Sequence, residues 1–404
     1  MKTLILTLLA LTGTVHAAGT VFSTILSGSG QDYANAVTSD AQGNTYAGGL
    51  TYSKDFPVTA GAFQTTFGGT CDAFVAKVGP DGKLIWATYL GGILDDWVSS
   101  IAVDGAGNVW VAGYTRSANF PLVNPIQSTL GDDFDAFVAK LDPTGSKLLY
   151  STFLGGQGEN GAGGMVLDSA GNAYAAVNVS STAGYPGVQN APGQFGIFVS
   201  KLTPRGALAY SYFHPNGVAA AIALDAAGSV YVAGSSAGYP INGLATNALA
   251  FDESGPEQAM LFKISPDGSS KLYETTLGGS VQTVGAAIAV DGAGEAWMAG
   301  TTLSADFPLV KPLQSSTGGR PLWKSANGGS TWSPLDDLPF AVPQTLAVDP
   351  ADASTLYQAT EDLGIFKSVD GSATWSAANT GIAGGPKGHP PGGPPHQETS
   401  GIVL

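Results

Sequence analysis

Residues Ile101–Gly113 read IAVDGAGNVWVAG, two short apolar runs joined by Asp-Gly-Ala-Gly-Asn. An aspartate that caps a turn, two residues in the right-handed region and a glycine in the left-handed region reverse a chain with a bulge at the glycine, so the stretch describes a β-hairpin. The same hairpin returns along the chain. Aligned on the aspartate, the copies fall at Asp40, Asp104, Asp168, Asp225, Asp291 and Asp349, with separations of 64, 64, 57, 66 and 58 residues. Three residues earlier stands a large apolar side chain, Val37, Ile101, Met165, Ile222, Ile288 or Leu346, and two earlier a mostly small one, Thr38, Ala102, Val166, Ala223, Ala289 or Ala347. Side chains alternate between the faces of a strand, so each first strand offers one bulky and one slim face. Glycine follows the aspartate at plus three in five copies, and the sixth, AVDPADASTLY, lacks it and is two residues longer. An aromatic residue opens every second strand: Tyr46, Trp110, Tyr174, Tyr231, Trp297 and Tyr357.

A second hairpin alternates with the first and is marked by Lys77, Lys140, Lys201, Lys263, Lys324 and Lys367. In its first four copies proline follows at plus three and glycine at plus five, and the next strand carries Trp86, Tyr150, Tyr210 or Tyr273. Two hairpins per period make four strands, and runs such as VWVAG are apolar on both faces, as strands covered on both sides must be. The chain therefore reads as all-β, a β-propeller of about six four-stranded blades, with seven blades or a truncated longer array as the alternatives. The first hairpin is expected innermost and the lysine hairpin outermost, its lysines snorkelling or pairing along the blade edges. Thr20–Gly30, TVFSTILSGSG, resembles the outermost-strand segment LIWATYLGG and is expected to add to the last blade and tie the ring.

Composition agrees, with 57 glycines and 12% charged residues in 404. The net charge of −15 and the presence of just three arginines, Arg116, Arg205 and Arg320, oppose nucleic acid and anionic surfaces as partners. Residues 1–17, one lysine followed by an apolar run and small residues, read as a signal peptide. No later segment is apolar enough for a membrane span, so the mature chain is expected to be exported, secreted or at the cell surface. A lone cysteine, Cys71, forms no internal disulfide. Residues 384–404 are dense in Pro and Gly and read as a disordered tail.

Through IAVDGAGNVWVAGYT, the DFP loop and DAFVAKLDPTG, positions 18–318 resemble the bacterial β-propeller repeat family known as SBBP repeats. Positions 319–383 are similar to the Asp-box or BNR repeats of sialidase-like propellers, whose hairpin reads S-x-D-x-G-x-T-W. SANGGSTW keeps Ser325, Gly329, Thr331 and Trp332 with Asn327 for the aspartate, and SVDGSATW keeps Ser368, Asp370, Thr374 and Trp375 with Ser372 for the glycine. That resemblance implies a continuing propeller and brings no reaction with it.

No catalytic constellation stands out. The three arginines occupy different repeat positions, which opposes the carboxylate-binding cluster of a sialidase, and after removal of the leader His214 is the only histidine outside the tail. The acids in LGDDFDAF (Asp132, Asp133, Asp135) and GILDDW (Asp95, Asp96) lack the spacing of a calcium loop, and no metal or cofactor is expected. The chain reads as a binding or scaffold module for a glycan or protein ligand, the alternative being a carbohydrate-active hydrolase or lyase that uses loop carboxylates at the propeller axis. Candidate ligand-binding residues are Asp32, Asp95, Asp96 and Asn160 in the turns between blades and Asp55, Asn119 and Asp306 in the long loops within them, loops expected to converge on one axial face.

Overall fold

The computed structural model describes residues 5–9, 20–188, 193–236, 257–291, 294–304, 306–308, 322–325, 333–335, 343–349, 352, 354–360, 364–371 and 374–378. The described elements are strands, and six sheets hold four each. A separate pair, β1 (Ile5–Leu9) and β2 (Thr20–Ile25), is antiparallel. Blade one is β3 (Asp32–Ser39), β4 (Thr45–Thr51), β5 (Asp72–Val78) and β6 (Leu84–Leu90). Blade two is β7 (Asp96–Val103), β8 (Val109–Thr115), β9 (Asp135–Leu141) and β10 (Leu148–Leu154). Blade three comprises β11 (Asn160–Leu167), β12 (Ala173–Val179), β13 (Gly196–Leu202) and β14 (Leu208–Pro215), and blade four β15 (Val218–Leu224), β16 (Val230–Ser235), β17 (Ala259–Ile264) and β18 (Lys271–Leu277). Blade five contains β19 (Thr283–Val290), β20 (Ala296–Thr302), β21 (Leu322–Ser325) and β22 (Ser333–Leu335), and blade six β23 (Pro343–Val348), β24 (Leu356–Thr360), β25 (Gly364–Ser368) and β26 (Ser376–Ala377).

Every blade runs in simple antiparallel order, and the first strands of successive blades pack on one another, β3 on β7, β7 on β11, β11 on β15, β15 on β19 and β19 on β23. The arrangement is a β-propeller with the first hairpin innermost, as its slim face allows. The second strands are sheathed on both sides, and β4, β8 and β12 are buried along their whole length. The expected ring closure is corrected: β2 pairs with β1, and the described sheet of blade six is β23 to β26 with no place taken by Thr20–Ile25.

The turn glycines behave as their spacing requires, with Gly43, Gly107, Gly171, Gly228 and Gly294 at φ of 79 to 82°. In blades two to four the glycine at plus five after the lysine has a second reason. Gly145, Gly206 and Gly268 lie against the rings of Trp86, Tyr150 and Tyr210 from the preceding blade, so a Cβ at any of them would overlap an aromatic ring. Trp86 Nε1 also donates to Pro143 O at 3.0 Å, fixing the same contact.

The three marks of the repeat meet inside each blade. Tyr46 and Lys77 are cross-strand neighbours, as are Trp110 and Lys140, Tyr174 and Lys201, Tyr231 and Lys263. Each lysine sits 4.5 to 5.0 Å from its aromatic ring centroid and reaches the turn aspartate of its own blade, at 2.9 Å for Lys140–Asp104 and Lys263–Asp225 and 3.8 Å for Lys77–Asp40 and Lys201–Asp168. The lysines pair as expected, within the blade body instead of along its rim. The recurring aspartate also caps its turn, accepting from the Gln42 and Asn44 amides in blade one.

The long loops follow another path than the sequence implies. Thr59 N donates to Ala87 O at 3.0 Å and Tyr89 N to Gln64 O at 3.1 Å, so the loop of blade one lies along the outer edge of β6. Val123 and Gln127 likewise bridge to Ser151 and Phe153 on β10. In blades one and two only the first residues of the loop stay on the axial face; the rest cover an edge that would otherwise present unpaired backbone groups. In blades one and two the phenylalanine of the FP pair anchors the loop: Phe56 lies 4.6 Å from Phe74, and Phe120 4.5 Å from Phe137.

Candidate functional site

Strand register puts the candidate residues at one end of the blades. Asp32 pairs with Thr51 and Thr51 with Asp72, so the start of the first strand, the end of the second and the start of the third share an edge, while the hairpin turns lie at the other. On this face backbone bonds link the blades, from Asp96 N to Cys71 O, Asn160 N to Phe134 O and Thr283 N to Glu257 O, at 3.0, 3.0 and 2.8 Å.

The candidates form separate clusters in blades one, two, three and five. Asp32 is buried and accepts from Gly28 N at 2.8 Å, Ser53 Oγ at 2.9 Å and Thr51 Oγ1. Asp96 repeats this with Gly92 N at 2.7 Å, Ser117 Oγ at 2.9 Å and Thr115 Oγ1. Asn160 is buried and donates to Asp135 Oδ1 at 2.9 Å and to the carbonyls of Gly156 and Gly158 at 3.1 and 2.8 Å. The exposed members hold the same turns from outside: Asp55 accepts from Ser29 N and Oγ, Asn119 from Ile93 N, and Asp306 from Ser280 N and Oγ. The Ser29 hydrogen bonds hold the carboxyl of Asp55 below its ordinary range, as those of Ser280 do for Asp306.

Asp95 differs. It is half-buried and faces Arg116, whose guanidinium lies 3.8 Å from Asp95 Oδ2 and 2.8 Å from Asp133 Oδ2. Around it Tyr52 (45%), just after β4, and Ile93 (63%) and Leu94 (46%), in the connection between the first two blades, are exposed, and half-buried Tyr33 and Trp97 stand one residue into β3 and β7. Blades three, four and five have Gly161, Val218 and Val284 at the position of Tyr33 and Trp97, so the aromatic character belongs to blades one and two. Cys71, buried beside Asp95, has its thiol pushed up to about 12, first by burial and then by that carboxylate, and is no nucleophile at neutral pH.

Sequence reasoning passed over Asp72 and weighed Asp135 only among the loop acids of LGDDFDAF, although DAF recurs at both. Asp72 accepts from Gly68 N at 2.7 Å and Gly69 N at 3.0 Å, Asp135 from Gly131 N at 2.8 Å and Gln127 Nε2 at 2.9 Å, and burial raises each carboxyl to about 6. Tyr33, Tyr52 and Trp97 carry no repeat signature because they are where the repeats differ. Among the described residues no group of three or more His, Cys, Asp or Glu is arranged to hold a metal ion, and no helix is long and apolar enough to cross a membrane. SANGGSTW, apart from Ser325, and the tail from Gly384 lie outside the described residues.

The fold and its face define a β-propeller protein. Residues 85–121, the segment spanning β6, the blade junction and β8, match a family model described as the SBBP beta-propeller repeat. A search of curated proteins found no match. Among solved structures, the GH74 xyloglucanase from Xanthomonas campestris is similar at 15% identity and a TM-score of 0.49, over 86% of this chain and 47% of that one, so the chain spans about half its length. A PL25 ulvan lyase is similar at 12% identity and a TM-score of 0.45, over 87% of this chain and 84% of that one. A protein of unknown function from Bacteroides caccae shows 10% identity and a TM-score of 0.37, over 78% and 86%.

Proposed function

We propose that the protein is an exported binding module, secreted or held at the cell surface, that takes a neutral glycan on the axial face of blades one and two. The observation that carries this reading is the uneven distribution of exposed groups. Tyr52, Ile93 and Leu94 are exposed beside Asp95, Arg116 and Asp133, with Tyr33 and Trp97 half-buried at the same edge. Aromatic faces with a few fixed polar groups suit the C–H faces and hydroxyls of a sugar, and the acidic balance disfavours anionic ligands.

The hydrolase or lyase reading asks for two carboxyl groups in contact with substrate. Asp72 and Asp96, which meet beside Gly91, are fully buried and occupied by backbone amides and hydroxyls, which favours binding over cleavage. The Asp-box reading of the last repeats is retained as a proposal, supported by Asp370, which accepts from Ser368 Oγ, Thr374 N and Thr374 Oγ1 at 2.8, 2.9 and 2.6 Å.

The test is to present the full chain to an array of neutral and charged glycans, alongside Tyr52→Ala and Asp95→Ala. Neutral glycans bound by wild type and lost at least tenfold in Tyr52→Ala, with an unchanged melting temperature, is the expected result. Retention of anionic glycans alone, or undiminished binding by both variants, would overturn it.

A further inference from the structure

We propose that Asp72 and Asp96 share a proton across the junction of the first two blades, making that junction a joint that tightens in mildly acidic surroundings. The two carboxyl groups begin β5 and β7, both are 0% exposed, and they face one another across Gly91. The point where a Cβ of Gly91 would stand is 2.6 Å from Asp96 Oδ2 and 3.1 Å from Asp72 Oδ1.

The other junctions show what this one lacks. Between blades two and three the same two positions hold Asp135 and Asn160, and the amide donates to the carboxylate at 2.9 Å. Between blades four and five, one position earlier on each strand, Gln282 Nε2 donates to Glu257 Oε2 at 2.7 Å. Each of those junctions pairs one acid with one amide. The first pairs two acids: Gln64 Nε2 donates to Asp72 Oδ2 at 3.3 Å as Gln127 Nε2 does to Asp135 at 2.9 Å, but the donor across the junction that Asn160 supplies next door exists here only when one carboxyl is protonated.

No neighbouring charge relieves the pair. The titratable groups packed around it are Cys71 before β5, Tyr89 on β6, Asp95 before β7, Tyr114 on β8, and Asp32, Tyr52 and Asp55 from blade one. Arg116, the cation beside them, is engaged by Asp95 and Asp133. Burial, against the hydrogen bonds that oppose it, pushes Asp96 up to about 7 and Asp72 up to about 6 from the ordinary 3.8. The folded chain therefore keeps a proton that the unfolded chain has released. The stabilisation is complete below 3.8 and is lost as pH rises through 6 and 7.

The experiment compares melting temperatures of wild type, Asp96→Asn and Asn160→Asp from about pH 5 to about pH 8. It also follows the infrared C=O band of buried protonated carboxyl groups. Wild type should lose several degrees over that range, and Asp96→Asn distinctly less, retaining the share that belongs to Asp135. Asn160→Asp sets a second carboxyl against Asp135 and should lose more than wild type. The carboxylic-acid band near pH 6 should weaken in Asp96→Asn and strengthen in Asn160→Asp. Three superimposable pH profiles, or a band unmoved by either substitution, would overturn the proposal. Asn160→Asp leaves the first junction intact, so its profile still decides the matter if Asp96→Asn does not fold.

Discussion

Lys140 joins three parts of the molecule through one ammonium group. It pairs with Asp104 at 2.9 Å, lies 4.8 Å from the centroid of Trp110 and donates to Pro204 O of the next blade at 3.2 Å. Its side chain is 9% exposed and that of Asp104 8%, so removing either leaves a charge in a poorly solvated place. Lys140→Ala should cost about 3 to 5 kcal/mol in chemical denaturation. Lys77→Ala, at a 3.8 Å pair that is 15% exposed on the lysine side, should cost visibly less. The sequence reveals lysine, aspartate and aromatic residue as three separate periodicities. Their meeting depends on cross-strand register, which turn spacing constrains and side-chain pattern alone does not state. Asp32, Asp96 and Asn160 fare differently as ligand candidates: polarity at a blade turn reads alike whether a side chain faces solvent or, as here, is buried with its hydrogen bonds made inside the protein.

Each innermost strand breaks register once, at the same step, between Ala34 and Ala36, Val98 and Ser100, Ala162 and Gly164, Ala219 and Ala221, Gly285 and Ala287, and Pro343 and Thr345. These are β-bulges, and in blades one and two the extra residue aims its side chain toward the neighbouring blade. Asn35 Nδ2 donates to Val98 O at 2.9 Å, and Ser99 Oγ to Ala162 O at 2.8 Å. In blade three the bulged residue is Gly163, where a Cβ would overlap Ala219 O, and Asn178 of β12 takes over. It donates to Ala219 O at 3.0 Å and accepts from Ala219 N at 2.7 Å. Asn178→Leu should leave both backbone groups unsatisfied, at about 1 to 3 kcal/mol each, a loss measurable by denaturant titration. None of this is legible in the sequence, because a bulge adds a residue without altering the apolar spacing by which the strand is recognised. The turns are legible, since φ near 80° at a fixed offset leaves its mark as glycine.

At the scale of the molecule, the repeat accounts for the scaffold and the departures from it carry the proposed ligand surface. About six blades, with seven or a longer array left open, the strand order and the inner place of the first hairpin were readable from period and alternation, and the described residues form six four-stranded sheets. The course of the long loops was not, since a loop that seals an outer edge and one that overhangs the channel have the same composition. The pairing of Thr20–Ile25 with β1 was also hidden, because a strand's likeness to an outermost strand does not choose its partner. The central claim is that ligand contact is confined to the axial face of blades one and two. Hydrogen–deuterium exchange of the full chain, with and without the glycan returned by the array, tests it most directly. Protection should appear in residues 30–34, 52–55, 92–97 and 114–119, with the hairpin turns at 40–44, 79–83 and 104–108 unchanged. Protection centred on those turns, or spread evenly around all the described blades, would contradict the claim.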